Sequence, residues 1–209
     1  MTFEKSRKRA EIKAKNRATI LEAARSCFLQ LGYDTTTVRD IIRSTHLAPG
    51  TFYNYFPDKE SIFRALIDDY INQIEQRRKQ LLQNNNHLED YIHNTFLAYF
   101  LTIEDLPSLF QLALRSNHII LHLYQKTLLG CSSEILRNQL SGLLASTTNR
   151  NIDLHYMASA IIGTAYQIGI EFTQRSNKDA SFAAKFCSSL VLGGLGVIPK
   201  QRNVEEDIA

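Results

Sequence analysis

The stretch TTTVRDIIRSTHLAPGTFYNYF, residues 35–56, holds two helical patterns too short to stand alone. Val38, Ile41, Ile42 and Thr45 recur at helical spacing and form the inner stripe of the first. Arg39 and Arg43 are four apart and share its outer face. Thr37 fits the N-cap, and Asp40 three residues on makes a near-capping box. The second pattern starts at Pro49, which suits a first helical position because it has no donor to leave unpaired. Four aromatics follow in five positions, Phe52, Tyr53, Tyr55 and Phe56, and propensity alone would also suit a strand. A strand needs Pro49-Gly50 as a turn and a partner strand nearby, and no stretch within reach offers one. A helix uses every residue. Phe52 and Phe56 fall within ~40° of each other and face inward with Leu47, while Gly50 and Asn54 point away. Thr51 and Tyr55 flank one side and Tyr53 the other.

Helices this short cannot persist unsupported, so the pair needs a third element to complete a core. Ile20, Leu21, Ala24, Phe28 and Leu31 recur at helical spacing, which predicts an amphipathic helix over 15–31, ended by Gly32 at the C′ position. Pro57 stops the aromatic helix. Asp58 caps the next, with Ser61 at its third position, and an apolar stripe from Ile62 to Ile74 carries that helix to about Leu82. Two short helices joined by STHLA are a helix-turn-helix, whose outer face is able to enter a major groove.

Charge agrees with that use. Residues 1–59 hold 11 Lys/Arg against 6 Asp/Glu, whereas residues 60–209 hold 13 against 15. The first 17 residues carry Lys5, Arg7, Lys8, Arg9, Lys13, Lys15 and Arg17 against Glu4 and Glu11. Such a run is either a solvated tail or an arm for a polyanion, and the helix-turn-helix behind it favours the arm. The N-terminus has no apolar stretch after its basic residues, so it is not read as a secretory signal, and no apolar run approaches the ~18 residues of a membrane span. Cys27, Cys131 and Cys187 are scattered through apolar helical patterns, which points to reduced, buried thiols and a cytoplasmic protein.

Roles on the outer face follow from chemistry. The hydroxyls of Thr51, Tyr53 and Tyr55 and the ammonium of Lys59 suit phosphate oxygens, contacts that position without reading sequence. Gly50 lets a backbone come close to base edges. Arg39 suits a bidentate contact to guanine, and Asn54 suits adenine. Lys15, Arg17, Thr37 and Pro49 complete the candidate DNA-binding set.

The segment TTTVRDIIRSTHLAPGTFYNYFPDKESIFRAL resembles the DNA-binding segment of the TetR family of bacterial repressors. The elements that carry the likeness are Thr36-Thr37-Val38-Arg39-Asp40-Ile41, Gly50-Thr51-Phe52-Tyr53, Tyr55-Phe56 and Lys59-Glu60, and with the first helix it covers about residues 14–67. The resemblance implies an all-helical homodimer. It also implies a C-terminal domain that binds a small molecule and releases the protein from a palindromic double-stranded DNA operator. Two positions depart from the pattern. His46 stands where the family usually has glycine in the turn, and Ala48 replaces the usual Ser/Thr cap of the recognition helix, a hydrogen bond worth ~1 kcal/mol.

Beyond residue 82, helices are expected at roughly 87–103, 106–115, 117–146, 152–176 and 179–195, with breaks or bends at QNNNH, Pro107, Gly130 and STTNRN, and no strand. The fold class is all-α, about nine helices. The expected organisation is a basic arm at 1–14, the helix-turn-helix domain at 15–60, a ligand-binding and dimerisation domain at 61–198 and a flexible tail at 199–209. Phe96, Tyr99, Phe100, Phe110, Leu114, His118, Leu121, His122 and Tyr166 are either plain core or the lining of an apolar pocket with sparse polar groups. The stretches APGTFYNYF and LFQLALRSNH resemble the fatty-acyl-responsive branch of the TetR family, and this resemblance implies a small apolar, acyl-chain-like ligand. His118 and His122, four apart, have metal-gripping spacing, but no further ligand lies at a partner spacing, so they are read as a polar handle or as satisfied or exposed side chains, with no metal and no cofactor. Ile161, Ile162, Ala165, Gly169 and Phe172, with Phe182, Phe186 and Leu190, form broad apolar faces on the last two helices, suited to a four-helix dimer interface or to a single-domain core. There is no P-loop, G-x-G-x-x-G, H-E-x-x-H or G-x-S-x-G motif, so an enzyme is not expected. The rival reading is a dimeric small-molecule or lipid-binding module without DNA function.

Overall fold

A computed structural model of the chain describes residues 2–82, 87–124, 129, 131–147, 152–195 and 197. Ten helices and no strand are found among them: α1 (Thr2–Leu31), α2 (Val38–Ser44), α3 (Pro49–Tyr53), α4 (Lys59–Leu81), α5 (Leu88–Asp105), α6 (Pro107–Arg115), α7 (Asn117–Tyr124), α8 (Ser133–Thr147), α9 (Leu154–Gln174) and α10 (Ala180–Gly194). No single helix among the described residues is long and apolar enough to cross a membrane.

Local chemistry sets most of these boundaries. Gly32 adopts φ +84°, and its amide closes on the Phe28 carbonyl at 3.0 Å, ending α1. Asp58 accepts the Ser61 amide at 2.7 Å at the start of α4. Asp153 accepts the amides of His155 and Tyr156, and Asp179 accepts that of Phe182, capping α9 and α10.

Two expectations are corrected. The first helix begins at residue 2, so the expected arm is helical. From Thr2 to Leu31 there is neither glycine nor proline, and Ala, Glu, Lys and Arg are good helix formers, so the helix continues even where every side chain from Glu4 to Lys15 is exposed. The single helix expected at 117–146 is two, α7 and α8, which raises the count to ten. Ser132 opens the second by accepting the Ile135 amide at 3.1 Å. Gly130, most of STTNRN and the tail at 199–209 lie outside the described residues.

The chain divides into two compact units. One comprises the residues up to Tyr70 with Ser108–Ser116; the other comprises Ile71–Pro107 with the residues from Asn117 on. In the first, Ile20, Ala24 and Phe28 of α1, Ile41 of α2, Phe52 of α3 and Ile62, Phe63 and Ile67 of α4 are buried together with Phe110 of α6. Phe28, Tyr33 and Phe63 form an aromatic triad with centroids 4.7–5.9 Å apart. α6 is tied to α1 at both ends: Arg25 donates to Ser108 Oγ at 2.6 Å, and Arg115 donates to the Leu29 carbonyl. Segment 61–70 and α6 therefore group with the helix-turn-helix, whereas the expected boundary lay after residue 60.

In the second unit α5 is the central element, packed against α8, α9 and α10. Its Ile92, Phe96, Tyr99, Phe100 and Ile103 are fully buried, and Phe100 meets Phe172 of α9 at 5.2 Å. Each large apolar side chain so buried contributes about 1.5–3 kcal/mol. Cys27, Cys131 and Cys187 are all buried thiols. Burial pushes the Cys187 thiol up to about 12.

Candidate nucleic-acid interface

α2 is held by a complete capping box. Thr37 Oγ1 accepts the Asp40 amide at 3.2 Å, and Asp40 Oδ2 accepts the Thr37 amide at 2.9 Å. The Thr37 hydroxyl also donates to Asp40, and this bond first, the amide second, holds the Asp40 carboxyl below the usual carboxylate value. Ile41 and Thr45 face inward while Arg39 and Arg43 stand exposed. Sequence reasoning placed Thr45 on the inner stripe but missed its work in the turn. Its amide donates to the carbonyls of Ile41 and Ile42, its hydroxyl donates to Ile42, and it accepts the Leu47 amide at 3.3 Å. The signal was present, since a threonine at a helix end readily bonds backbone.

α3 is only five residues long. Ala48 makes no side-chain cap, as its methyl dictates, and Pro49 opens the helix. Phe52 and Phe56 are buried, so the helical reading of the aromatic run holds and the strand reading does not. Tyr53 is 54% exposed, and Pro49, Gly50 and Asn54 are exposed beside it. A Cβ at Gly50 would meet nothing within 4 Å. Among the described residues none comes close enough to require glycine there.

The remaining residues of the set are placed less simply. Lys15 and Arg17 are exposed on α1, and the Arg17 guanidinium lies over the Phe56 ring at 5.4 Å. Thr51 and Tyr55 are half-buried, and Tyr55 Oη accepts from Asn16 Nδ2 at 3.2 Å. Lys59 is turned to the backbone. Its Nζ donates to the carbonyls of Tyr33 at 2.8 Å and Asp34 at 3.1 Å and sits 4.5 Å from the Tyr33 ring centroid. Two of its three donors are thus used in fastening the α1–α2 loop, a role that spacing gave no way to see.

The fold and this face have close counterparts. Residues 20–66 match the bacterial regulatory proteins of the tetR family. The HTH-type transcriptional repressor ComR of Escherichia coli (strain K12) is 31% identical over 103 residues, covering 48% of this chain and 49% of that protein. The HTH-type transcriptional regulator YdgC of Bacillus subtilis (strain 168), itself uncharacterized, is 24% identical over 194 residues, covering 90% of this chain and 96% of that one. A solved TetR-like transcriptional regulator from Rhodococcus sp. RHA1 superposes with a TM-score of 0.70 at 17% identity, covering 87% of this chain and 96% of its own. The chain carries a TetR-family DNA-binding domain. It spans about half the length, or less, of other curated relatives it matches, 41% and 44% for two of them.

Outside that domain, the residues expected to line a ligand pocket do not all fall in one unit. Phe96, Tyr99 and Phe100 lie in the interior of the second unit, whereas Phe110 and Leu114 lie in the first, Phe110 buried and 6.5 Å from Tyr70. His118 and His122 are exposed and Tyr166 is half-buried; the Leu121 side chain lies outside the described residues. No group of three metal-ligating side chains occurs among the described residues. The interior of α5 also holds polar atoms that the sequence reading passed over. Tyr91 Oη and Thr95 Oγ1, one turn apart and close to each other and to Arg78, are buried without a hydrogen bond of regular geometry. Burial first raises the Tyr91 phenol above its usual value.

The apolar residues set aside for dimerisation divide by face. Ile161, Ala165, Gly169 and Phe172 are buried in the core of the chain itself and Ile162 is half-buried. Phe182, Phe186 and Leu190 of α10 stand 60%, 51% and 58% exposed, four residues apart, and so form one apolar stripe. Beside it a groove of about 540 Å³ runs between α9 and α10, lined by Ile168, Phe172, Phe182 and Phe186 with Glu171 and Arg175.

Proposed function

We propose that this chain is a ligand-responsive transcriptional repressor that binds a palindromic operator as a homodimer and is released by a small apolar effector. The observation that carries the DNA reading is the division of α3. Phe52 and Phe56 anchor it while Pro49, Gly50, Tyr53 and Asn54 are offered outward beside Arg39. In this reading Arg39 and Asn54 read base edges, Thr51 and Tyr53 take phosphates, and Lys15 and Arg17 add charge. Thr37 and Lys59 hold the frame that presents them.

Two further observations support the rest. The exposed stripe Phe182, Phe186 and Leu190 is the kind of large apolar surface a second copy buries, and a dimer sets two recognition helices about 34–36 Å apart on successive major grooves. Tyr91 and Thr95 place two hydroxyls among the aromatic rings of α5, the mixture an apolar effector with one polar end would need. Release requires that the effector bind the DNA-incompetent dimer better than the competent one. α4 is the proposed lever, because its residues 59–70 belong to one unit and 71–81 to the other.

The test selects duplexes from a random pool with the full chain and measures affinity across salt concentrations. A twofold-symmetric site with a steep salt slope is expected. Arg39→Ala should weaken it ~5–150-fold, the 1–3 kcal/mol of a bidentate base contact, and relax preference at one position. Absence of duplex binding at low salt would sink the reading in favour of a small-molecule module without DNA function.

A further inference from the structure

The N-terminal half of α1 has no part in the core, yet it is placed with care. Ser6, Arg9, Lys13 and Asn16 recur at three- and four-residue spacing and so share one face. Asn16 fixes that face by its bond to Tyr55 Oη at 3.2 Å. Ahead of this bond a groove of about 750 Å³ opens, with Ser6, Arg9 and Lys13 on one wall and Thr51, Asn54 and Tyr55 on the other. None of the residues lining it is acidic. Glu4 and Glu11, seven apart, occupy the opposite side of the helix, where Glu11 is paired to Arg7 at 3.0 Å. Cations stand all round this helix, but its acids are confined to the side away from the groove, so the face alongside α3 carries Arg9 and Lys13 with no carboxylate between them.

We propose that this groove is a second DNA contact, in which Arg9 and Lys13 take phosphates of the backbone strand that borders the major groove entered by α3. The inference rests on the DNA reading above and extends it. The contact is a helical rail of about 16 Å, from Ser6 to Asn16 at 1.5 Å rise per residue, and not a disordered arm that must fold on binding. It reads no bases. It lengthens the footprint and adds to the counterions released, by about 0.9 in salt slope for each phosphate neutralised.

The experiment compares three full-length proteins on one selected duplex over a range of salt: the unaltered chain, Arg9→Ala/Lys13→Ala, and Arg7→Ala/Lys8→Ala, which removes two charges away from the groove. Alanine is the strongest helix former, so α1 persists in both variants, as far-ultraviolet circular dichroism should confirm. The groove variant should flatten the slope by about two per protomer, weaken binding most at low salt and leave base preference unchanged. The off-groove variant should keep the slope. If the two variants behave alike, or the groove variant keeps the full slope, the rail is wrong while the helix-turn-helix reading stands. If the unaltered chain shows no salt-dependent duplex binding, both fall.

Discussion

A methyl group at position 50 would enter open space, and alanine is the better helix residue by about 0.5–1 kcal/mol. Gly50→Ala should therefore leave the melting temperature unchanged or slightly raised while weakening duplex binding, a pairing of outcomes that thermal denaturation and anisotropy together can check. A fall in both would mean that glycine serves the fold. Lys59 makes the reverse prediction. Its ammonium bridges two carbonyls and covers Tyr33, so Lys59→Met should destabilise the first unit by about 1.5–3 kcal/mol, read by chemical denaturation. Its duplex affinity should drop only as far as the loop loosens, with the salt slope kept, since the lysine's charge is spent on protein atoms. The two positions looked alike in the sequence, as small or basic members of one motif. What separates them is which neighbour each side chain meets, and motif spacing carries no record of that.

Among the elements, α2 shows how far local chemistry can be read directly. Thr37, Asp40 and the inner stripe were legible because cap and box depend on residues three apart. The box also gives a pH dependence. Asp40's folded value lies below the unfolded 3.8, so its stabilisation is complete above that value and is lost as pH falls through the lower, folded one. Asp40→Ala should cost the same stability at every pH above about 5, and the gap to the unaltered chain should begin to narrow as pH falls below 3.8. A gap that did not narrow as acid was added would mean the aspartate acts by something other than its charge. Elsewhere periodicity misled. The start of α1 carries no apolar stripe, so only its charge was visible, and charge cannot distinguish an arm from a helix. Between α7 and α8 the apolar rhythm resumes on the far side of the break, which made two helices read as one.

At the scale of the molecule, the sequence marked α9 and α10 as apolar but could not say toward what. Ile161, Ala165, Gly169 and Phe172 turn to the core of the chain itself, and Phe182, Phe186 and Leu190 turn out. Both sets recur at helical spacing on apolar helices, and only packing shows which way each one turns. The outward stripe predicts that Phe186→Lys leaves the protomer folded but shifts it to monomer in light scattering, and that operator affinity then falls to that of a half-site. A dimer that survived this substitution would place the interface elsewhere. The buried thiols carry a consequence of another kind. Cys27, Cys131 and Cys187 are all shut in the interior, and Cys187 stays protonated at any physiological pH. Peroxides and electrophiles attack exposed thiolates, and this fold presents none among its cysteines. Thiol reagents should therefore label none of the three in the folded chain, and the onset of labelling would time its unfolding.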